Sequence, residues 1–181
     1  MANNKKNKEI NHNNLVTVKP ITDNQKLVFE SWKKGQNQFL FGAAGTGKTF
    51  ITKGLTEYFK AIGRNYLLAA PTGKASKVIA NKTRSQAHTI HKSIYASKAF
   101  KERRVDYIAG SETYKIYLEI SVNEFSVDTV YIIDESSMVS DQYNEAEFVQ
   151  FGSGYLLRDL LKFINLDHND HRKKGQKIAA K

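Results

Sequence analysis

Apolar residues fall in short groups along the chain, and their spacing sorts it into helices and strands. Leu27, Val28 and Trp32 recur at helical intervals behind Thr22-Asp23-Asn24-Gln25, a helix start, and Gly35 closes that helix. Gln38-Phe39-Leu40-Phe41 reads as a short buried strand running into a glycine-rich turn. A helix is predicted from Lys48 to Ala61 with Gly63 as its stop, then a strand over Tyr66-Leu67-Leu68-Ala69-Ala70. Further helices are expected over Lys74–Asn81 and around His88–Tyr95. Residues 97–112 read as polar and irregular, and Lys115–Ile120 has the β-branched and aromatic content of an edge strand. Thr129-Val130-Tyr131-Ile132-Ile133 is almost wholly apolar, as a strand buried on both faces should be. Leu156, Leu157, Leu160, Leu161 and Ile164 return to helical spacing. Strands separated by helices predict an α/β fold with a parallel sheet.

Composition narrows the class. The 181 residues suffice for one domain, and 40% apolar with 25% charged residues permit a buried core. The absence of cysteine excludes a disulfide scaffold and any Cys-ligated metal site. No apolar run approaches a membrane span, and the lysines of MANNKKNKEINHNN precede no apolar stretch, so a soluble cytoplasmic protein is expected. Residues 1–19, with six asparagines, read as a flexible arm, 20–166 as the folded domain and 167–181 as a basic tail. The net charge of +10 is unevenly spread: 48–104 carries thirteen basic and two acidic residues, whereas 105–161 carries two basic and eleven acidic. Such a split predicts one face suited to a polyanion.

Gly42-Ala43-Ala44-Gly45-Thr46-Gly47-Lys48-Thr49 matches G-x-x-x-x-G-K-[ST] in full, between a strand and a helix. Glycines let backbone N–H groups turn inward around a triphosphate, and the helix beginning at Lys48 adds the positive end of its dipole. Lys48 can reach the β- and γ-phosphates, and the Thr49 hydroxyl can ligate Mg2+. A second element must hold the metal and activate water. The apolar strand ending in Asp134-Glu135 supplies it, with Asp134 placed to hold Mg2+ through water and Glu135 to orient and deprotonate the attacking water. Asn81-Lys82-Thr83-Arg84 begins like a guanine reader but ends in the wrong charge, which disfavours GTP.

Two further segments complete a pattern. Ala70-Pro71-Thr72-Gly73-Lys74-Ala75-Ser76 and Thr89-Ile90-His91-Lys92, with the phosphate loop and Asp134-Glu135-Ser136-Ser137-Met138-Val139, resemble the ordered motifs of superfamily-one DNA helicases. The likeness is greatest to the RecD/Dda-like branch, which moves 5′-to-3′ on single strands, and it covers about residues 20–165. The resemblance implies an N-terminal RecA-like, P-loop NTPase motor domain that binds MgATP and single-stranded DNA. It implies that Pro71, Thr72, Gly73, Lys74, Thr89 and His91 lie in segments that grip the strand. Thr22 and Gln25 would belong to its adenine-reading element, although Thr-x-x-Gln is equally a capping box that needs no ligand. His88 and His91 stand at helical spacing without a third metal ligand.

Family members continue past the helix at 155–165 into a strand with a γ-phosphate sensor, and then into a second RecA-like domain whose arginines complete the ATP site. Here the sequence given runs Gln176-Lys177-Ile178-Ala179-Ala180-Lys181, at best the opening of that strand. In RecA-like sheets the strand lies between those ending at Gly42 and Asp134, so the expectation is either that the tail slots in as a short substitute or that the fold is poorly stable. Two other readings stand beside the motor domain: a truncated, non-catalytic nucleotide- or DNA-binding module, and a small P-loop kinase. The stretch 97–128 reads as an insertion, either a hairpin or a solvated excursion.

Overall fold

A computed structural model describes residues 22–108, 111–145, 148–164 and 177–180. The arm over 1–19 and most of the tail over 167–181 lie outside the described residues. Helix α1 (Asp23–Lys33) is opened by a capping box: the Thr22 hydroxyl accepts from the Gln25 amide at 3.3 Å, and the Gln25 side-chain oxygen accepts from the Thr22 amide at 3.1 Å. Gly35, at φ 83°, turns the chain out of it. Val28 and Trp32 are buried, whereas Leu27 faces solvent.

The expected strand at 38–41 is shorter and more exposed than its sequence suggests. Strand β1 is Gln38–Phe39 alone, and Phe39 and Phe41 are 64% and 86% exposed. The reason is its place at the edge of the sheet, with a neighbour on one side only. Helix α2 (Lys48–Ala61) and strand β2 (Tyr66–Ala70) keep the predicted bounds. Helix α3 (Gly73–Thr83) follows, and the segment expected to be one helix divides into strand β3 (His88–Thr89) and helix α4 (Ile90–Ile94).

Strand β6 (Val130–Ile133) is buried throughout. Its alternation with β2 divides the core in two. Leu68, Val130 and Ile132 meet Ile51, Leu55, Phe59 and Ile79 on one face, and Leu67, Ala69, Tyr131 and Ile133 meet Ile90, Ile94 and helix α5 (Leu156–Phe163) on the other. Burial on both faces explains the continuous apolar run.

The main sheet has the order β1-β8-β6-β2-β3, all parallel, where β8 is Lys177–Ala180. The tail therefore occupies the position anticipated for a substitute strand. Ala179 pairs with Gln38 on one side and Ile132 on the other, so backbone groups of β1 and β6 that would otherwise face each other unpaired are satisfied.

A second sheet, β4-β5-β7, departs from the sequence reading. Residues expected to be irregular form strand β4 (Tyr95–Ile108), antiparallel to β5 (Ser111–Ile120). The latter is not an edge, because β7 (Val149–Phe151) pairs along its other side. A partner some thirty residues away leaves no local signal in the sequence.

Proline at a central-strand position removes a ladder hydrogen bond. Ala179→Pro is expected to lower the thermal unfolding midpoint by roughly 5–10 °C, the size of shift that a loss of a few kcal/mol causes in a chain of this length. Circular dichroism melts check this, and an unchanged midpoint would mean that β8 carries no stability.

Candidate nucleotide site

Strand register brings the candidate loops to one edge. Phe39 stands opposite Ala180, Ala180 opposite Ile133, Ile133 opposite Ala69 and Ala69 opposite His88. All five strands thus end level, and the segments after Phe39, Ile133, Ala70 and His88 leave the same carboxyl edge. With strands about 4.8 Å apart, the exits of β1 and β6 lie about 10 Å from each other across β8.

The loop between β1 and α2 is held open by backbone conformation. Gly45 (φ 80°) and Gly47 (φ 89°) take left-handed angles that only glycine adopts without strain. Ala43 O accepts from the Thr46 amide at 3.4 Å and from its hydroxyl at 2.9 Å, which closes a tight turn. Residues 42–46, including Ala44, are exposed. The Lys48 ammonium folds back into the loop and donates to Gly42 O at 2.7 Å and Ala43 O at 2.9 Å. Thr49 occupies the first turn of α2. A Cβ on Gly47 would fall 2.8 Å from Gln25 Nε2, so the Gln25 amide lies against the loop while its oxygen serves the cap of α1. The capping box is therefore formed, and the same side chain also reaches the loop.

Asp134 and Glu135 have opposite environments. Asp134 is 4% exposed; its amide donates to Ala69 O at 2.8 Å and its Oδ1 accepts from the Glu135 amide at 3.0 Å. Glu135 is exposed and left-handed, at φ 54° and ψ 41°, a conformation that costs a non-glycine residue about 1–2 kcal/mol. It opens the single 3-10 turn Ser136–Met138, in which Met138 N donates to Glu135 O at 3.0 Å. Among the described residues no group of three or more His, Cys, Asp or Glu side chains could hold a metal. The donors near the loop, one buried carboxylate and one threonine hydroxyl, are those of a magnesium that takes its remaining ligands from phosphate and water.

The two other segments are built as caps. Thr72 Oγ1 accepts from the Ala75 amide at 3.2 Å, and Thr89 Oγ1 from the Lys92 amide at 3.1 Å; each hydroxyl keeps its own proton to donate. Pro71 is half-buried, and Gly73 and Lys74 are exposed. His91 is half-buried, 4.9 Å from the Phe151 ring and 5.7 Å from that of Tyr95. Burial pushes its pKa below the usual histidine value, which keeps the imidazole neutral at pH 7.

The basic half of the sequence does not all gather here. Lys60 and Arg64 follow or close α2, and Lys82 and Arg84 close α3, at the opposite, amino edge of the sheet. There the Lys60 ammonium donates to Arg84 O at 3.1 Å, and Arg64 lies 5.0 Å from the Trp32 ring. Helix carboxyl ends carry negative partial charge, which accounts for cations at that edge. The charge split along the chain is thus only partly a property of the candidate site.

Sequence reasoning missed Asp159. It is 2% exposed and accepts from the Tyr95 hydroxyl at 2.7 Å, the Ser153 amide at 2.9 Å and the Ser153 hydroxyl at 2.7 Å. Burial and this bond push the Tyr95 phenol far above its ordinary value. A Cβ on Gly152 would collide with the Asp159 carboxylate. The one available signal was an aspartate inside the apolar repeat Leu156–Leu161.

Comparison with known proteins adds a family. The sequence profile of the AAA domain matches residues 20–150. An uncharacterised protein of Methanocaldococcus jannaschii is 37% identical over 111 residues, which cover 59% of this chain and 9% of that protein. An ATP-dependent RecD2 DNA helicase of Deinococcus radiodurans is 28% identical over 89 residues, covering 49% of this chain and 12% of the helicase. The matched stretch is thus about a tenth of the length of either relative.

Glycine relieves the left-handed backbone at 135. Glu135→Gly is expected to raise folding stability by about 1 kcal/mol, measured by urea unfolding. A loss of stability would show that the carboxylate contributes more than its backbone costs.

Proposed function

The chain belongs to the AAA domain family as a RecD-like, superfamily-one motor domain, and from that premise we propose that it binds MgATP and single-stranded DNA and couples hydrolysis to strand movement. The observation that carries the reading is the meeting of the phosphate loop and the Asp134-Glu135 pair at one level of one sheet edge. Open α/β folds bind their ligands at this edge.

The residues fit the nucleotide. The loop has glycines where its backbone must be left-handed, and Lys48 now satisfies its charge on the carbonyl oxygens of Gly42 and Ala43. Those two bonds are exchanged for phosphate oxygens when Lys48 swings outward. Backbone N–H groups of residues 43–48 bind the triphosphate, Thr49 offers a hydroxyl to Mg2+, and buried Asp134 orients the metal's water. Gln25, held by its own cap, presents an amide beside the loop and would bind the adenine. MgATP supplies the phosphoanhydride that is cleaved. Glu135, exposed and free to reach a water, takes its proton.

Thr72 and Thr89 hydroxyls and the Lys74 ammonium would hold strand phosphates, with Pro71 and Gly73 shaping the turn and His91 lying beside it. An arginine from a second RecA-like domain would complete the site, and such an arginine typically accounts for 10³–10⁵-fold in rate, so the chain alone should turn over slowly.

Lys48→Ala removes charge-assisted bonds worth about 1.5–3 kcal/mol and is expected to weaken MgATP binding roughly 10- to 100-fold by calorimetry. Glu135→Gln should bind MgATP normally and lower DNA-stimulated hydrolysis by about 10²–10⁴-fold, the range of general base catalysis. Unchanged affinity in Lys48→Ala would overturn the nucleotide site. Unchanged hydrolysis in Glu135→Gln would remove the base.

A further inference from the structure

A cavity lies between α4 and the second sheet, two residues beyond Thr89. His91 and Tyr95 line it from α4 and the start of β4, Phe151 from β7, and the amides Asn144 and Gln150 complete the wall above Gly154. We propose that this cavity is a nucleobase subsite, which takes one base of the bound single strand by stacking and amide hydrogen bonds. The proposal rests on the reading that the chain binds single-stranded DNA.

Three features separate it from an ordinary packing defect. The first is its chemistry. Three rings meet around it, with Tyr95 and Phe151 centroids 5.3 Å apart and His91 edge-on to Phe151 at 4.9 Å. Bases stack on aromatic faces whatever their sequence, and the neutral imidazole of His91 can do so without a charge to desolvate. Asparagine and glutamine amides carry a donor and an acceptor side by side, the pair that matches a base edge. Gln150 is 4% exposed and its Nε2 donates to Asn144 O at 3.1 Å, which fixes both residues in the wall.

The second is its rigidity. Tyr95 is anchored from behind by Asp159, and the Asn144 amide is tied to Gly154 O at 2.9 Å. The third is its rim. Gly154, at φ 84°, has no room for a Cβ, because Tyr143 Cε2 would lie 2.5 Å away. The Tyr143 ring is over half exposed yet seated there, 5.4 Å from Tyr155, whose other neighbour Arg158 is locked to Asp141 at 2.7 Å. An exposed ring held this firmly at a cavity mouth is a stacking platform rather than a loose surface tyrosine. The surrounding segment is acidic overall, which suits a contact made to a base while phosphates are held elsewhere.

The test compares a short oligothymidylate with an abasic phosphodiester of equal length, by fluorescence anisotropy on the full chain. The thymidylate should bind roughly 5- to 100-fold more tightly, as stacking of one base implies. His91→Ala, and separately Asn144→Ala at an exposed position, should shrink that ratio while leaving affinity for the abasic strand unchanged. Equal affinity for the two strands, or a ratio that survives both substitutions, overturns the subsite and leaves single-strand binding intact. Binding of neither strand overturns the subsite together with the reading beneath it.

Discussion

In a parallel sheet every strand delivers its following segment to the same edge, and the rest of this molecule depends on that constraint. The level row Phe39, Ala180, Ile133, Ala69 and His88 fixes where the phosphate loop, the Asp134-Glu135 pair and the Thr72 and Thr89 caps emerge. Strand β8 is central to the row. It spaces β1 from β6 by one strand, so the loop and the acids face each other across a gap of about 10 Å rather than crowding together. Metal, phosphates and water need that width.

The edge also concentrates backbone strain and divides labour between two neighbouring carboxylates. Asp134 continues a buried strand and is held by the amide of Glu135, which fixes its direction. Glu135 is turned outward by a left-handed backbone and left exposed. Adjacent acids on a regular strand would point to opposite faces, and the turn at 135 breaks that alternation. Strained backbone of this kind persists only where the surroundings over-determine it, here through β6 on one side and the 3-10 turn on the other.

Much of this was legible in the sequence where local signals suffice. The bounds Lys48–Ala61 and Tyr66–Ala70 follow from a glycine-flanked helix and an apolar run, and Thr22 with Gln25 declares the cap of α1. The parallel α/β architecture followed from their alternation. Non-local pairing was not legible. Strand β4 was read as irregular because its partner β5 and the flanking β7 are set by tertiary register, and Phe39 and Phe41 were read as buried because nothing local says that a strand is an edge. At the site, residue types and spacing identified the loop and the acids. They did not reveal that Gln25 touches the loop through Gly47, that His91 turns into a ring-lined cavity, or that Asp159 anchors Tyr95. The charge asymmetry along the chain also misled in part, because helix carboxyl ends draw Lys60, Arg64, Lys82 and Arg84 to the far edge.

The central claim is that one sheet edge assembles Lys48, Thr49 and Asp134 around a single metal–triphosphate. A crystal structure of the chain with magnesium and a non-hydrolysable ATP analogue tests it most directly. The account predicts the Lys48 ammonium released from Gly42 O and Ala43 O onto phosphate oxygens, with the metal between the Thr49 hydroxyl and the Asp134 side. A nucleotide bound elsewhere, with Lys48 still on those two carbonyls, would contradict it.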